Sequence, residues 1–479
     1  MKDLYLRPRQ SWLQRLLKNR RRKAIRNRAS AQTLRIKKPE TTPRRTPIHR
    51  SPQPIRIALL LLLPLLSTAL LWPANPDPQG YAAKLTPGLD DATLHTAISP
   101  LFSRQHYPLS LPLTTDYGPT NAHIYYNFDP VLQSRIDQLL TRYKPDYAGV
   151  VAMDAVSGRI LAVASYQRSD QTDDNLALKS GYPAASMFKI ITASAAIEAG
   201  QANANTAVAY NGRSTTLYRK QVLRHRTNRW TRHLTLKKAF SESVNTVFAR
   251  LGLSVGAEKL QNMAFRFGFD KTLAGDFVLP QSHIKADINT DWSVAELASG
   301  FNRETRISPL HAAQISATIA NGGMAMTPQV INTITSASGT LLYAAEPREI
   351  QQVISAKTAR ELRKMMQETI RRGTARRTFR RFRRKTPKNL EVGGKTGSLM
   401  GFDPKGSTDW FTGYGILGQD RIAVAAVTVN KEKWTVKSSY LVRQLLQAHF
   451  SKKRKSAAKK TIIASEAAQV LPLRHRNAG

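Results

Sequence analysis

Cysteine is absent from the 479 residues, which excludes disulfides and thiolate chemistry. Acidic side chains are scarce: 32 Asp and Glu stand against 73 Lys and Arg, a formal charge of +41 at pH 7. Such an excess ordinarily raises nucleic-acid binding. It is unevenly placed, however. Residues 1–56 carry eighteen Lys and Arg against Asp3 and Glu40, and the remainder gathers in an arginine run at 371–388 and in the tail after Phe450. Between these lies a chain of ordinary globular composition, and at 41% hydrophobic residues it can bury a sizeable core. The charge therefore describes tails and one loop, and no recognition motif points to nucleic acid. Internal repeats are also lacking.

Long apolar runs are nearly missing, with one exception. Ile57 to Trp72 reads IALLLLLPLLSTALLW. Sixteen residues fall short of the roughly 20 that span a bilayer. Ile55 and Arg56 extend the run by snorkelling, and Trp72 suits the far interface. A buried core helix fits poorly, since charge flanks one side only. A cleaved signal peptide fits poorly too, because Leu71-Trp72-Pro73-Ala74 is not a small-residue cleavage site. The expectation is an uncleaved anchor over 55–73. The basic segment 1–54 would lie in the cytoplasm, disordered, and the rest of the chain outside the cytoplasmic membrane, in the periplasm.

Residues 74–126 are rich in Pro, Gly and Thr without a clear period, and read as a linker or small irregular module. Val131–Tyr143 has helical spacing. Ala148–Ala155 and Arg159–Ser165 read as strands around a tight turn at Val156-Ser157-Gly158. From Pro183 to about Leu297 the pattern is mainly helical, with an irregular stretch at 205–233; helices follow at Pro309–Asn321 and Ala356–Arg372. Strands return at Leu390–Ser398, Trp410–Leu417 and Arg421–Val429, and a helix closes the domain at Ser438–Phe450. Two strands, a helical insertion, three strands and a helix predict an α+β fold over 127–450. One antiparallel five-stranded sheet would carry helices on both faces, beside an all-helical subdomain. Residues 451–479 form a second basic tail.

A Ser-x-x-Lys tetrad sets a hydroxyl and an amine on one helical face. It occurs three times, at Ser186–Lys189, Ser282–Lys285 and Ser456–Lys459. Ser282 lies in the polar stretch LPQSHIKADIN and Ser456 in the basic tail, so both are expected on the solvated surface. Ser186 instead follows Pro183 and opens the apolar helix MFKIITASAAIEAG, which Gly200 can cap. A serine needs a base within hydrogen-bond reach. Lys189 serves only when neutral, and burial with a second cation lowers its pKa. Lys395, in Gly394-Lys395-Thr396-Gly397-Ser398 at an expected strand end, supplies that cation. Ser243-Val244-Asn245, the only Ser-x-Asn in the chain, offers a hydroxyl for proton relay and an amide.

In this order, S-x-x-K, S-x-N and K-T-G resemble the penicillin-binding protein transpeptidase family. The resemblance covers about 127–447 and extends to flanking text: FDPVLQ at 128–133, VVAMDAVSGRILAVAS at 150–165, SPLHAAQISATIANGG at 308–323 and GTARR at 373–377. It implies the penicillin-binding/β-lactamase-like fold. It also implies that Ser186 is acylated, Lys189 is its base and Ser243 passes the proton to the leaving D-alanine. Asn245 would hold the substrate amide, while Lys395, Thr396 and Ser398 bind the terminal carboxylate beside Gly397. The Ser186 and Ser398 backbone N–H groups would form the oxyanion hole. Implied partners are peptidoglycan stem peptides, β-lactam antibiotics and wall-synthesis proteins such as a glycosyltransferase. No metal or cofactor is implied.

The chain departs from the pattern in four places. Ala184-Ala185 stand where Pro-Gly is common, and the residues between apolar run and domain are few. No segment resembles a glycosyltransferase, and Arg376–Lys385 looks inserted. The rival outcomes are a D,D-carboxypeptidase, a β-lactamase or β-lactam sensor, and an inactive scaffold. Asn245 disfavours a class D lactamase, whose motif usually ends in Val.

Overall fold

The structure is a computed structural model that describes residues 89–451, apart from 116–117, 169–171, 173, 225, 273–274 and 286. The expected anchor, both basic tails and the Ser456–Lys459 tetrad lie outside the described residues. Among the described residues no helix is long and apolar enough to cross a membrane.

Five strands build the central sheet: β1 (Tyr147–Asp154), β2 (Ile160–Gln167), β3 (Glu391–Phe402), β4 (Lys405–Leu417) and β5 (Asp420–Asn430). They pair antiparallel in the order β3-β4-β5-β1-β2. β1 and β5, inside the sheet, read as nearly continuous apolar runs because both their faces are covered. In β5, Ala423, Ala425 and Val427 point to one core, with Trp410, Tyr414 and Val151. Ile422, Val424 and Ala426 point to the other, with Phe411 and Phe450. The second core is closed by the helix Pro130–Tyr143 and by the last helix, Ser438–Phe450.

On the first face lie α1 (Lys189–Glu198), α2 (Asn245–Val255), α3 (Asp291–Ser299), α4 (Pro309–Ala320) and α5 (Ala356–Arg371). α4 is buried along its whole length, and its sequence is apolar or small except for His311 and Gln314, whose side chains bond the Phe267 and Met326 carbonyls. Ser308 caps it by accepting from the His311 N–H, with Pro309 in the first turn.

Three sequence expectations change. The stretch 89–126 is more regular than its composition suggested: a helix at Asp91–Ser103 and a hairpin of Ser110–Thr115 with Gly118–Tyr126. That hairpin pairs with Ile331–Thr335, which pairs in turn with Leu341–Ala344, in a separate four-stranded sheet. The fully buried Asp276 ties this sheet down by accepting from the Val330 N–H at 2.7 Å and from the Ile331 N–H. Second, the K-T-G run sits in the middle of β3 and not at its end, because β3 and β4 continue to a turn at 403–404. Third, Ser282 is 2% exposed and its hydroxyl lies 3.3 Å from that of Ser180, so it is not solvated surface. Lys285 there reaches Glu296 and Glu304, which leaves no hydroxyl–amine pair.

Candidate active site

Ser186 stands in a single tight turn, Ala185–Met187, just before α1. Its backbone is strained at the preceding residue: Ala185 has φ +48°, the left-handed region that disfavours a Cβ. Two packing contacts fix this turn. The Trp410 Nε1–H of β4 donates to the Pro183 carbonyl at 2.9 Å, and Gly300 lies beneath it. A Cβ at Gly300 would fall 1.9 Å from the Ala185 carbonyl oxygen and 3.2 Å from the Ser186 nitrogen. Only glycine fits there.

The three motifs, far apart in sequence, meet at one hydroxyl. Lys189 Nζ lies 2.8 Å from Ser186 Oγ and 2.8 Å from Asn245 Oδ1, and it also donates to the Ser299 carbonyl. The Ser243 hydroxyl donates to Ser186 Oγ at 2.9 Å. Lys395 Nζ donates to Ser243 Oγ at 2.9 Å and to its neighbour's carbonyl, Thr396 O, at 2.8 Å. Ser186 is half-buried, whereas both lysines are fully enclosed. The rings of Phe248 and Phe240 flank the two ammonium positions at 5.9 and 5.4 Å.

Burial, and then the Lys395 charge, hold the Lys189 amine well below the usual lysine range. Burial lowers Lys395 to about 7. A neutral Lys189 has two N–H bonds, and Asn245 Oδ1 with Ser299 O accept both. Its lone pair is left for the Ser186 hydroxyl, which is the arrangement of a general base.

Asn245 Oδ1 accepts from Lys189, and its Nδ2 donates one hydrogen to the Thr215 carbonyl at 3.0 Å, so the amide also orients the base. Thr396 and Ser398 lie on β3, the edge strand of the sheet; Thr396 is half-buried and Ser398 exposed. Gly397 lets this strand approach the nucleophile: a Cβ there would sit 3.4 Å from the Ser186 nitrogen and 3.1 Å from Met187.

Sequence reasoning missed four groups. Ser299 and Thr215 act through carbonyls, which carry no side-chain signal. Thr374, noticed only as flanking text, links two motifs: its N–H donates to Ser241 O at 3.0 Å and its Oγ1 lies 2.6 Å from Thr396 Oγ1. Asp409, opposite Ser398 in the β3–β4 register, is buried and pushed up to about 6 by that burial. It accepts from the Ser438 N–H at 2.8 Å.

Comparison with known proteins gives the family. The family model for the penicillin-binding protein transpeptidase domain matches residues 148–447. The peptidoglycan D,D-transpeptidase PbpA of Mycolicibacterium smegmatis is 26% identical over 73% of this chain and 74% of its own. The stage V sporulation protein D of Bacillus subtilis is 26% identical over 56% of this chain, which spans only 42% of that relative's length. The crystal structure of PBPA from Mycobacterium tuberculosis superposes with a TM-score of 0.57 at 21% identity, covering 69% of this chain and 81% of that one. The D,D-transpeptidase domain of an Eggerthella lenta peptidoglycan glycosyltransferase gives 0.57 at 23% identity, over 76% and 91%. These likenesses show a shared fold. With a family match across 300 of its 479 residues, the chain belongs to the penicillin-binding protein transpeptidase family.

Proposed function

We propose that the chain is a peptidoglycan D,D-transpeptidase that forms an acyl-enzyme on Ser186 from D-alanyl-D-alanine stem peptides and cross-links them, and that β-lactams acylate the same serine. The observation that carries this reading is the buried Lys189 amine 2.8 Å from Ser186 Oγ, with its other hydrogens already committed.

In this mechanism neutral Lys189 takes the hydroxyl proton as Oγ bonds to the carbonyl carbon of the penultimate D-alanine. The tetrahedral adduct collapses by breaking the C–N bond, and the departing amine takes a proton from the Ser243 hydroxyl. That hydroxyl is replenished by the proton Lys189 took, so the base is neutral again in the acyl-enzyme. Lys395 keeps the local potential positive through its bond to Ser243. With Thr396 and Ser398 it faces the terminal carboxylate. An extended stem peptide adds to the open edge of β3, where backbone groups and Gly397 admit it close to Ser186. In the second half-reaction an acceptor amine attacks the ester carbonyl and passes its proton by way of Ser243 to Lys189, which returns it to Ser186 Oγ as the ester C–O bond breaks. Water in place of that amine gives a D,D-carboxypeptidase.

Labelling with fluorescent penicillin and peptide mapping tests the assignment. One adduct per chain at Ser186 is expected, lost in Ser186→Ala and retained in Ser282→Ala. Label on another serine overturns it. Release of D-alanine with and without an acceptor amine then separates cross-linking from hydrolysis.

We further propose that 55–73 anchors the protein in the cytoplasmic membrane with the catalytic domain outside, within reach of a glycosyltransferase partner. Protease added to spheroplasts should digest the domain and spare residues 1–54. A mature chain beginning near Asn75 would refute this.

A further inference from the structure

The arginine run lies outside the chemistry described above, and its structure is not that of a bare loop. Two short helical turns, Arg376–Phe379 and Phe382–Arg384, fold it onto the second core through Phe379 and Phe382, which are buried against each other, Phe379 also against Phe411. This pinning leaves Arg376, Arg377, Arg380, Arg381, Arg383 and Arg384 all exposed. None of the six has a carboxylate partner among the described residues; Arg383 Nη1–H donates instead to the Lys388 carbonyl at 3.1 Å. Unpaired like charges held this close repel one another, so a fold that fixes them has left room for an anion.

That room is visible. A groove of about 790 Å³ is lined by Arg371, Arg376, Arg377, Arg380 and Arg383 over an apolar floor that includes Val392 of β3. Arg377 also lines a second, shallow groove of about 460 Å³ together with Lys437 and Arg443. Arg377 is common to both and makes them one basic track. Charge spread along such a track suits a linear chain. Guanidinium forks pair bidentately with phosphate and carboxylate oxygens. The track also shares a strand with the active site: Val392 precedes Gly397 by five residues, about 17 Å of extended chain.

We propose that this track is a binding site for the wall polymer that carries the peptide substrate, gripped through the carboxylates repeated along its peptide branches and held while one branch enters the active site. This rests on the transpeptidase reading for the identity of the polymer, though not for the binding itself.

The test uses the full chain in neutral detergent micelles, with linear polyphosphate as the probe. The wild type should bind it with a steep salt dependence. Replacing Arg376, Arg377, Arg380 and Arg383 by Gln should weaken binding at least tenfold at low salt. It should also flatten the log–log salt slope by about 3, at roughly 0.7 per lost phosphate contact. The corresponding Lys variant should keep most of the slope and lose affinity. Penicillin acylation of Ser186 should stay within twofold of wild type in each variant, which also shows that they fold. Polymer should slow hydrogen exchange across 371–386. Equal polyphosphate binding by wild type and Gln variant overturns the proposal. So does protection of 371–386 by phosphatidylglycerol added to the micelles with none by polymer, which would assign the track to lipid headgroups. If penicillin fails to acylate the wild type, the transpeptidase reading falls while the binding measurement stands.

Discussion

Gly300→Ala isolates what positions the nucleophile. The new Cβ would meet the Ala185 carbonyl oxygen at 1.9 Å, about 1.5 Å inside the 3.4 Å at which contact becomes ordinary. The atom it meets belongs to the backbone, so no side-chain rotation relieves the overlap, and the turn carrying Ser186 must move. Two costs add. Placing alanine at φ +65° costs about 1–2 kcal/mol. Overpacking costs a further 1–3 kcal/mol or so. Displacing Ser186 by about 1 Å from Lys189 and Ser243 should slow acylation about 100-fold. Gly418→Ala is the internal control: its φ is +64°, yet nothing lies within 4 Å of the added carbon. It should lose only the backbone contribution of about 1–2 kcal/mol and acylate normally. Urea unfolding gives the stabilities, and the second-order rate constant with a fluorescent penicillin gives the chemistry. Equal destabilisation of the two variants, with normal acylation in both, would falsify the argument that Gly300 holds the nucleophile's turn.

Other expectations follow from the buried charges. The acylation rate should rise with pH as Lys189 loses its proton, at a pH below the ordinary lysine range, and Lys395→Gln should move that limb upward; an unmoved limb would exclude Lys395 as its cause. Lys395 titrates at about 7 when folded and at 10.5 when solvated in the unfolded chain, which therefore binds more protons between these values. Stability should increase as pH rises from 7 to 10.5, and Lys395→Met should give a shallower slope in urea midpoints across that window; an unchanged slope would contradict the shift. Asp276→Ala strands the Val330 and Ile331 N–H groups and should cost about 2–4 kcal/mol without touching Ser186 chemistry; a loss under about 1 kcal/mol would show that solvent replaces the carboxylate.

The chemistry was legible in the sequence where it lay in local pattern, and illegible where it depended on distant chain. Ser186 stood out from two other tetrads because its neighbours form an apolar helix, and that helix is buried as the pattern required. Ser282 was misjudged by the same logic. Its stretch is polar, but the serine's carbonyl accepts from the Asp270 N–H, and the neighbouring His283 pairs its backbone with Arg306, so tertiary cover encloses a locally polar segment. The hairpin at 110–126 gave no strand signal for a related reason. Pro112 interrupts it, and only Leu113, Ala122 and Ile124 are buried, too few to show alternation. The orienting contacts of Asn245 were beyond sequence as well, since its partners are a lysine 56 positions away and a loop carbonyl.

The departures from the family pattern also gain a physical meaning. Ala185, standing where the family often carries glycine, keeps the left-handed backbone that glycine would take freely. Ser243 is left-handed too, at φ +56°. Each such residue costs on the order of 1–2 kcal/mol and persists only where its surroundings over-determine it. Here the surroundings are specific. Trp410 grips Pro183, Gly300 closes under Ala185, and Thr374 binds the Ser241 carbonyl on one side and Thr396 on the other. Strain in the turns beside Ser186 and Ser243 is thus absorbed by contacts between motifs. The hydroxyl and both amines are held at hydrogen-bond distance before any substrate arrives, and the chemical step needs little reorganisation.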